Sequence, residues 1–309
     1  MELLYFLEGL RNPPLDFIMS LITRFGDETL FMAMALVMFW CVDKFRGYLV
    51  LCVGFMGTLI NQFLKLTFRI PRPWVKDPNF TIVESAREAA TGYSFPSGHT
   101  QNAVGTFGSI GVTARRNASR IVCLILVILV PFSRMYLGVH TPLDVGVSIL
   151  IAVALVAIFT PLLKYFGEHP HKMNYFLWAM LALSLAYVLF VELYRFPADV
   201  DPANHASGVK NAYTLMGAVA GMCIAYPLEY KYIKFQTRAV WWAQLIKLGG
   251  GLALTVGIKS GLKVLFNLIF GEGFMPAHAI RYAAMVLFAA LIWPQTFKFF
   301  SKLGNKMQQ

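Results

Sequence analysis

The chain has 309 residues, of which 57% are hydrophobic and only 14% are charged, and its mean hydropathy is +0.59. Soluble domains usually carry about 25% charged residues, so this composition excludes an ordinary soluble domain. The net charge of +11 would suit a nucleic acid partner, but apolar runs of about twenty residues recur along the chain and indicate membrane-spanning helices. We therefore predict an integral membrane protein that lies in the bilayer and binds no nucleic acid.

The apolar runs, taken in chain order, predict an all-α polytopic membrane helical bundle with about nine transmembrane helices. Residues 1–24 resemble instead an amphipathic segment at the membrane interface, broken by Pro13 and Pro14, although residues 13–24 could insert as a tenth span. Such a bundle could also form a homo-oligomer. The expected spans lie near residues 29–42, 47–65, 97–113, 120–137, 142–163, 173–193, 212–228, 242–270 and 279–297.

The distribution of basic residues predicts which side of the membrane each loop faces. One side holds fourteen basic and three acidic residues, and the other holds thirteen of each. Short cytoplasmic loops are enriched in Lys and Arg, so we place the first side in the cytoplasm. The segments 66–96 and 194–211 are then extracytoplasmic, in what we expect to be the plasma membrane. The cytoplasmic side receives residues 43–46, 115–120, 164–172 and 229–238, together with Lys247 and the C-terminal tail.

Three motifs on the predicted outer side combine residue types that suit chemistry on a phosphate group. The first runs from Lys65 to Arg72 and Pro73, where the prolines end a membrane span. Two cations at the end of a span can bind an anion together. The alternative is that they are ordinary basic side chains that snorkel to the interface, which is common at the ends of spans.

The second motif is Phe95-Pro-Ser-Gly-His99, directly before an apolar run. This sequence suits the start of a helix, where free backbone N–H groups and the helix dipole attract a phosphate. Gly98 would allow the ligand to approach the backbone closely, and His99 stands in the first turn of the helix. The alternative is an ordinary helix cap with no ligand.

The third motif runs from Ser133 and Arg134 to His140 and Asp144, with Thr141 and Pro142 as the expected N-cap and first residue of a helix. His140 and Asp144 are four residues apart, so a helix start would place both on one face. A carboxylate bonded to Nδ1 would leave Nε2 free as a nucleophile. The alternative is a capping carboxylate beside an interfacial histidine.

Taken together, these residues resemble the type 2 phosphatidic acid phosphatase superfamily, whose signature is K-x6-R-P, then P-S-G-H, then S-R-x5-H-x3-D. All three parts match in order and spacing between residues 65 and 144. The resemblance implies that His140 attacks phosphorus and forms a phosphohistidine, that Asp144 orients His140, and that His99 protonates the leaving oxygen. It also implies that the phosphoryl oxygens are held by Lys65, Arg72, Ser97, Gly98 and Arg134.

The resemblance predicts a metal-independent lipid phosphate phosphatase without a cofactor, whose substrate is a phosphorylated lipid that arrives through the bilayer. Residues 1–193 would form the six-helix catalytic core, and residues 194–309 would add further spans. A two-histidine, one-carboxylate metal site is an alternative, but the three nearby cations would repel a divalent ion. The superfamily also includes vanadate-dependent haloperoxidases, but those enzymes are soluble. Other classes of function are a lipid phosphotransferase and a transporter or scaffold with a vestigial site.

Overall fold

The computed structural model describes residues 1–198, 200–271 and 273–305, with the backbone alone for residues 302–305. The described residues form helices and connecting segments, with no β-strand among them. The α-helices in this part of the chain are α1 (Glu2–Gly9), α2 (Pro13–Thr23), α3 (Glu28–Val37), α4 (Lys44–Phe68), α5 (Pro73–Lys76), α6 (Gly98–Thr113), α7 (Asn117–Tyr136), α8 (Pro142–Glu168), α9 (Pro170–Leu193), α10 (Pro202–Leu228), α11 (Trp241–Phe270), α12 (Pro276–Leu287) and α13 (Phe297–Asn305).

The prediction of an all-helical membrane bundle is confirmed, but the count of nine spans is not. In the described residues, six helical stretches are long and apolar enough to cross a membrane. A seventh crossing is obtained when Pro13–Gly26 and Glu28–Val42, which meet at a 55° bend, are taken as one broken span. The six stretches are Lys44–Lys76, Asn117–Tyr136, Pro142–Glu168, Pro170–Leu193, Trp241–Phe270 and Pro276–Ser301.

Two of the predicted spans form helices that are shorter or less apolar than the six. Helix α6 has only 16 residues and opens with the polar sequence Gly-His-Thr-Gln-Asn. Helix α10 has 27 residues, but glycine, alanine and polar side chains reduce its hydropathy. Both segments still form helices, because burial inside a protein favours helix formation without the full apolar length that lipid requires.

The chain divides into two compact units, each built from separate stretches of sequence. The first unit contains residues Met1–Met34, Leu49–Pro161 and Phe196–Gly208. Its centre is the pair α6 and α7, which pack against each other along their lengths, and α1 and α2 pack on α7. The hydroxyl of Tyr136 in α7 donates a hydrogen bond to Asp16 in α2 at 2.7 Å. Residues 13–24 are therefore packed against a membrane helix. The interpretation of this stretch as an interfacial segment did not predict that contact.

The second unit contains residues Ala35–Tyr48, Leu162–Arg195 and Val209–Gln309. Lys247 of α11 is fully buried within this unit. Its ammonium group donates hydrogen bonds to the backbone carbonyls of Trp40 and Thr237, each at 3.0 Å. The positive charge is thereby stabilised near the N-terminal end of α11.

Helices α10 and α12 approach each other so closely that position 217 has no room for a side chain. A Cβ atom there would lie 2.1 Å from the backbone oxygen of Ala279. We expect Gly217→Ala to lower the free energy of unfolding by about 1–3 kcal/mol, because the two helices must move apart. Thermal unfolding in detergent measures this loss. Gly257→Ala in α11 is the matched control, since no atom lies within 4 Å of a Cβ at that position; equal melting temperatures for the two variants would contradict the prediction.

Candidate active site

The eight residues singled out by the three motifs all lie in the first unit. Six of them are buried, whereas Gly98 and His99 are partly exposed. Burial of so many ionisable groups near membrane depth is costly and therefore typical of a functional site. The buried residues are Lys65, Arg72, Ser97, Arg134, His140 and Asp144.

Arg72 is the cation that meets His140 directly. It precedes α5, whose first residue is Pro73, so the prolines turn the chain after α4 as expected. The Arg72 guanidinium donates to the carbonyls of Thr91 at 2.7 Å, Gly92 at 3.0 Å and Val139 at 3.0 Å. Its Nη1 also lies 2.8 Å from Nε2 of His140. The guanidinium is thus fixed on three sides by backbone oxygens, with its fourth contact on the imidazole.

The contact with Arg72 determines the tautomer of His140. A guanidinium can only donate hydrogen bonds, so Nε2 must accept and carries the lone pair. The proton is therefore on Nδ1, which lies 3.5 Å from Oδ2 of Asp144. The carboxylate therefore faces Nδ1, and the lone pair of Nε2 points toward the Arg72 guanidinium.

Asp144 is held by the start of α8 and by the segment before the second motif. Its Oδ2 accepts hydrogen bonds from the Ser94 hydroxyl at 2.6 Å and from the backbone N–H of Thr141 at 2.7 Å. In return, the Asp144 N–H donates to the Thr141 hydroxyl at 3.2 Å. Thr141 thus caps a helix that begins at Pro142, as predicted. These bonds fix the carboxylate in the first turn, on the same side as His140.

The electrostatic environment keeps His140 neutral. Burial is the main cause that lowers the pKa of His140 well below its usual value, and the charges of Arg72, Arg134 and Lys65 lower the pKa further. Because these charges act on one imidazole, the three cations and His140 share a single site. An uncharged imidazole keeps its lone pair, so His140 is in the form that can attack an electrophile.

The second motif forms the start of α6. Ser97 is the N-cap, and its hydroxyl accepts from the Thr100 N–H at 3.4 Å. The backbone N–H of Ser97 donates to the backbone oxygen of Asp144 at 3.2 Å, which joins the second motif to the third. The first backbone N–H groups of a helix have no partner within it, and in α6 these groups belong to Gly98 and His99. Free N–H groups at a helix start of this kind can bind an anion.

The remaining two cations lie at helix ends. Lys65, in the last turn of α4, donates to the backbone carbonyl of Tyr93. Arg134, near the end of α7, donates through Nη1 to the Thr23 hydroxyl at 2.7 Å. Its Nε is buried and has no hydrogen-bond partner among the described residues. An unpaired donor in a buried guanidinium is costly, and an anion bound at this site would supply the missing acceptor.

Three further residues at the site were not found by sequence reasoning. Ser94 contacts Asp144, Thr23 contacts Arg134, and Asp27 lies 2.9 Å from Nε2 of His99. Ser94 stands three residues before Ser97, so its position beside the motif was the only available signal. Thr23 and Asp27 flank the short sequence Arg-Phe-Gly, which interrupts two apolar stretches. This interruption indicated that the helix is broken here. It did not indicate that Thr23 and Asp27 contact the residues of the three motifs.

Comparisons with known proteins agree with this geometry. A sequence model of the PAP2 superfamily matches residues 45–168, which include the whole site, and a model of the PAP2 superfamily phosphatase transmembrane extension matches residues 213–306. The chain is 32% identical over 178 residues to a probable sphingosine-1-phosphate phosphatase of Dictyostelium discoideum, a match that covers 52% of this chain and 42% of that protein. The chain therefore spans less than half the length of this relative.

Two further relatives are matched over a larger share of their own length. The chain is 29% identical over 150 residues to undecaprenyl-diphosphatase BcrC of Bacillus subtilis, covering 48% of this chain and 75% of that protein. It is 26% identical over 294 residues to sphingosine-1-phosphate phosphatase 1 of Mus musculus, covering 88% of this chain and 65% of that protein. No solved structure matches the chain significantly. The two matched segments and the motif residues from Lys65 to Asp144 lead to one conclusion: the chain belongs to the PAP2 superfamily.

Proposed function

We propose that this protein is a membrane phosphatase that hydrolyses a phosphomonoester or diphosphate of a lipid through a phosphohistidine on His140. One observation carries the proposal, namely the 2.8 Å contact between Nη1 of Arg72 and Nε2 of His140. It places the lone pair of a neutral histidine beside a cation that can hold a phosphoryl oxygen. Phosphoryl transfer depends mainly on such positioning and on stabilisation of charge on the oxygens.

The proposed reaction has two steps. In the first, Nε2 of His140 bonds to phosphorus while the bond to the lipid oxygen breaks, and the leaving oxygen takes a proton from His99. In the second, water attacks the phosphohistidine, loses a proton to His99 and returns the electron pair to Nε2. Asp144 stabilises the positive charge that develops on the His140 ring. We assign this chemistry to residues 1–193 and leave residues 194–309 outside it.

The phosphoryl oxygens would be held by the remaining motif residues, without a metal ion. The guanidinium groups of Arg72 and Arg134 and the ammonium group of Lys65 would neutralise the negative charge. The backbone N–H groups at the Ser97–Gly98 helix start would bind the remaining oxygens. Three cations around His140 disfavour a divalent ion at the same place, which argues against the alternative that His99, His140 and Asp144 form a metal site.

The substrate class follows from the relatives and from the membrane location of the fold. The matched relatives are named for sphingosine-1-phosphate and for undecaprenyl diphosphate. We propose that this chain acts on a sphingoid phosphate, a polyprenyl diphosphate, phosphatidate or phosphatidylglycerol phosphate. A substrate of this kind could enter from the bilayer while its tail remains in lipid.

The first functional prediction concerns the nucleophile. We expect wild-type protein in detergent to release inorganic phosphate from at least one member of a panel of these four lipid phosphates. His140→Ala should reduce the rate at least about a thousandfold, because no other group can take over the covalent step. The measurement is the release of inorganic phosphate, with each lipid phosphate assayed separately. Size-exclusion chromatography checks that the variant is folded.

His171→Ala is the control variant, since His171 lies in the second unit and outside the site. It should keep wild-type activity. A His140→Ala variant with more than about a tenth of wild-type activity would refute the covalent mechanism. Transfer of the phosphoryl group to an added lipid alcohol, without release of inorganic phosphate, would identify a phosphotransferase instead.

The second functional prediction concerns metal ions and inhibitors. Activity should persist in excess EDTA, because the proposed site uses only protein cations. Orthovanadate should inhibit, since it mimics the five-coordinate phosphorus of the transition state, and Arg72→Lys should weaken this inhibition at least about tenfold because the planar fork of Arg72 is lost. The measurement is a vanadate titration of the hydrolysis rate. Loss of activity in EDTA that one divalent ion restores would favour the metal site.

The third functional prediction concerns sidedness. We propose that the active site faces the extracytoplasmic side of the plasma membrane. The proposal is supported by the basic residues of the short loops assigned to the opposite side. The hydrogen bond between the Asp201 N–H and the Tyr93 hydroxyl at 3.2 Å indicates that the two expected outer segments lie on the same side as each other. In a background without the four native cysteines, Asn79→Cys and Ala206→Cys should react with an impermeant maleimide on intact cells.

Asn117→Cys and Gln236→Cys are the matched inner positions and should react only after the cells are permeabilised. All four positions are exposed, so accessibility within the fold does not bias the comparison. The reverse labelling pattern would place the site in the cytoplasm and would direct the substrate search to lipids of the inner leaflet. Mixed labelling within a pair would mean that the number of spans between the positions differs from the prediction.

A further inference from the structure

The segment that joins α2 to α3 reaches the active site from the N-terminal part of the chain. Residues Arg24–Gly26 form one turn of 3-10 helix, and Asp27 follows it. Thr23, at the end of α2, is buried and accepts the hydrogen bond from Arg134. This turn therefore contacts the proposed phosphate-binding groups, although it belongs to none of the three motifs.

The backbone of the turn is in close contact with His99. A Cβ atom at position 26 would lie 2.6 Å from the carbonyl oxygen of His99 and 2.9 Å from its Cβ, so only glycine fits there. The Asn102 side-chain amide donates to the Gly26 carbonyl at 3.2 Å, and the rings of Phe25 and Phe107 are 6.3 Å apart. The turn is thus attached to α6 at His99 and at Asn102 and Phe107, which follow it in the helix.

These contacts bring the Asp27 carboxylate to the imidazole of His99. Oδ1 lies 2.9 Å from Nε2, with the side chains 42% and 17% exposed. The two side chains are thus at contact distance, and they carry opposite charges when His99 is protonated. A carboxylate at this distance stabilises the protonated ring. Burial and the positive charges of Arg134 and Arg72 lower the pKa of His99 to about 4, and Asp27 opposes this shift.

We propose that Asp27 is a positioning residue for His99. It holds the Nε2 side of the ring and favours the imidazolium, so that Nδ1 is the atom that gives its proton to the leaving oxygen. The inference rests on the proposed function, in which His99 is the general acid. When His140 bonds to phosphorus, the electron pair of the broken bond moves to the leaving oxygen, which takes the Nδ1 proton; the Nε2 proton stays toward Asp27.

The test compares two esters that differ in how much they need this proton. The alcohol of octyl phosphate is a poor leaving group and needs protonation, whereas the phenolate of 4-nitrophenyl phosphate leaves readily without it. We expect Asp27→Asn to lower kcat for octyl phosphate about 10- to 100-fold and kcat for 4-nitrophenyl phosphate less than about threefold. Glu28→Gln is the matched control at the next, exposed residue and should change neither rate.

Equal losses on both esters would overturn the proposal, because distortion of the site slows both reactions alike. Unchanged kcat on both esters would also overturn it. A second measurement does not depend on turnover. In protein with 15N-labelled histidine, assigned with the aid of His99→Gln, the titration midpoint of His99 should fall by about one pH unit in Asp27→Asn and stay in place in Glu28→Gln.

In this titration His99 faces Asp27 and the cations Arg72 and Arg134, and it also interacts with His140 across the site. Removal of the carboxylate leaves only groups that disfavour the imidazolium, so the direction of the shift is determined. An unchanged midpoint in Asp27→Asn would refute the positioning role. If wild-type protein hydrolyses neither ester and no lipid phosphate, the proposed function fails, and the titration alone then decides the role of Asp27.

Discussion

Positive charge buried inside a membrane protein is the constraint on which the first unit depends. Lys65, Arg72 and Arg134 are only 8%, 6% and 1% exposed, and a buried charge is costly unless hydrogen bonds or an opposite charge stabilise it. The chain supplies much of this stabilisation from carbonyl groups of residues 91–93 and of Val139. These residues lie in irregular backbone, whose carbonyls are not engaged in a helix and can turn toward the cations.

The same constraint would give the site an affinity for anions. Backbone carbonyls are dipoles and carry no net charge, so the repulsion among the three cations remains. Asp144 offsets part of it, although its Oδ2 is already engaged by Ser94 and Thr141. A bound phosphoryl group would cancel more of the repulsion than any of these partners. Binding to the folded chain alone would also raise its stability, by mass action.

The sequence predicted those parts of the site that depend on local rules. The Thr141 cap, the start of α8 at Pro142 and the common side of His140 and Asp144 follow from spacing within a few residues. Contacts between distant segments could not be predicted in this way, because no local pattern shows that Asp27 meets His99. The count of nine spans relied on apolar runs in the sequence, whereas the helix that forms at α6 has only 16 residues, fewer than the usual length of a span.

The second and third motifs are joined by the helical hairpin of α6 and α7, so the lengths of these two helices must match. Helix α6 leads away from the site at Gly98, three residues (Ala114–Arg116) turn the chain, and α7 leads back to Arg134. At 1.5 Å per residue the outward path is about 24 Å and the return path about 27 Å. One extra helical turn in either path would displace Arg134 along the helix axis by about 5 Å, away from the site. Insertions are therefore tolerable in this hairpin only as pairs, one in each helix, or at its three-residue turn.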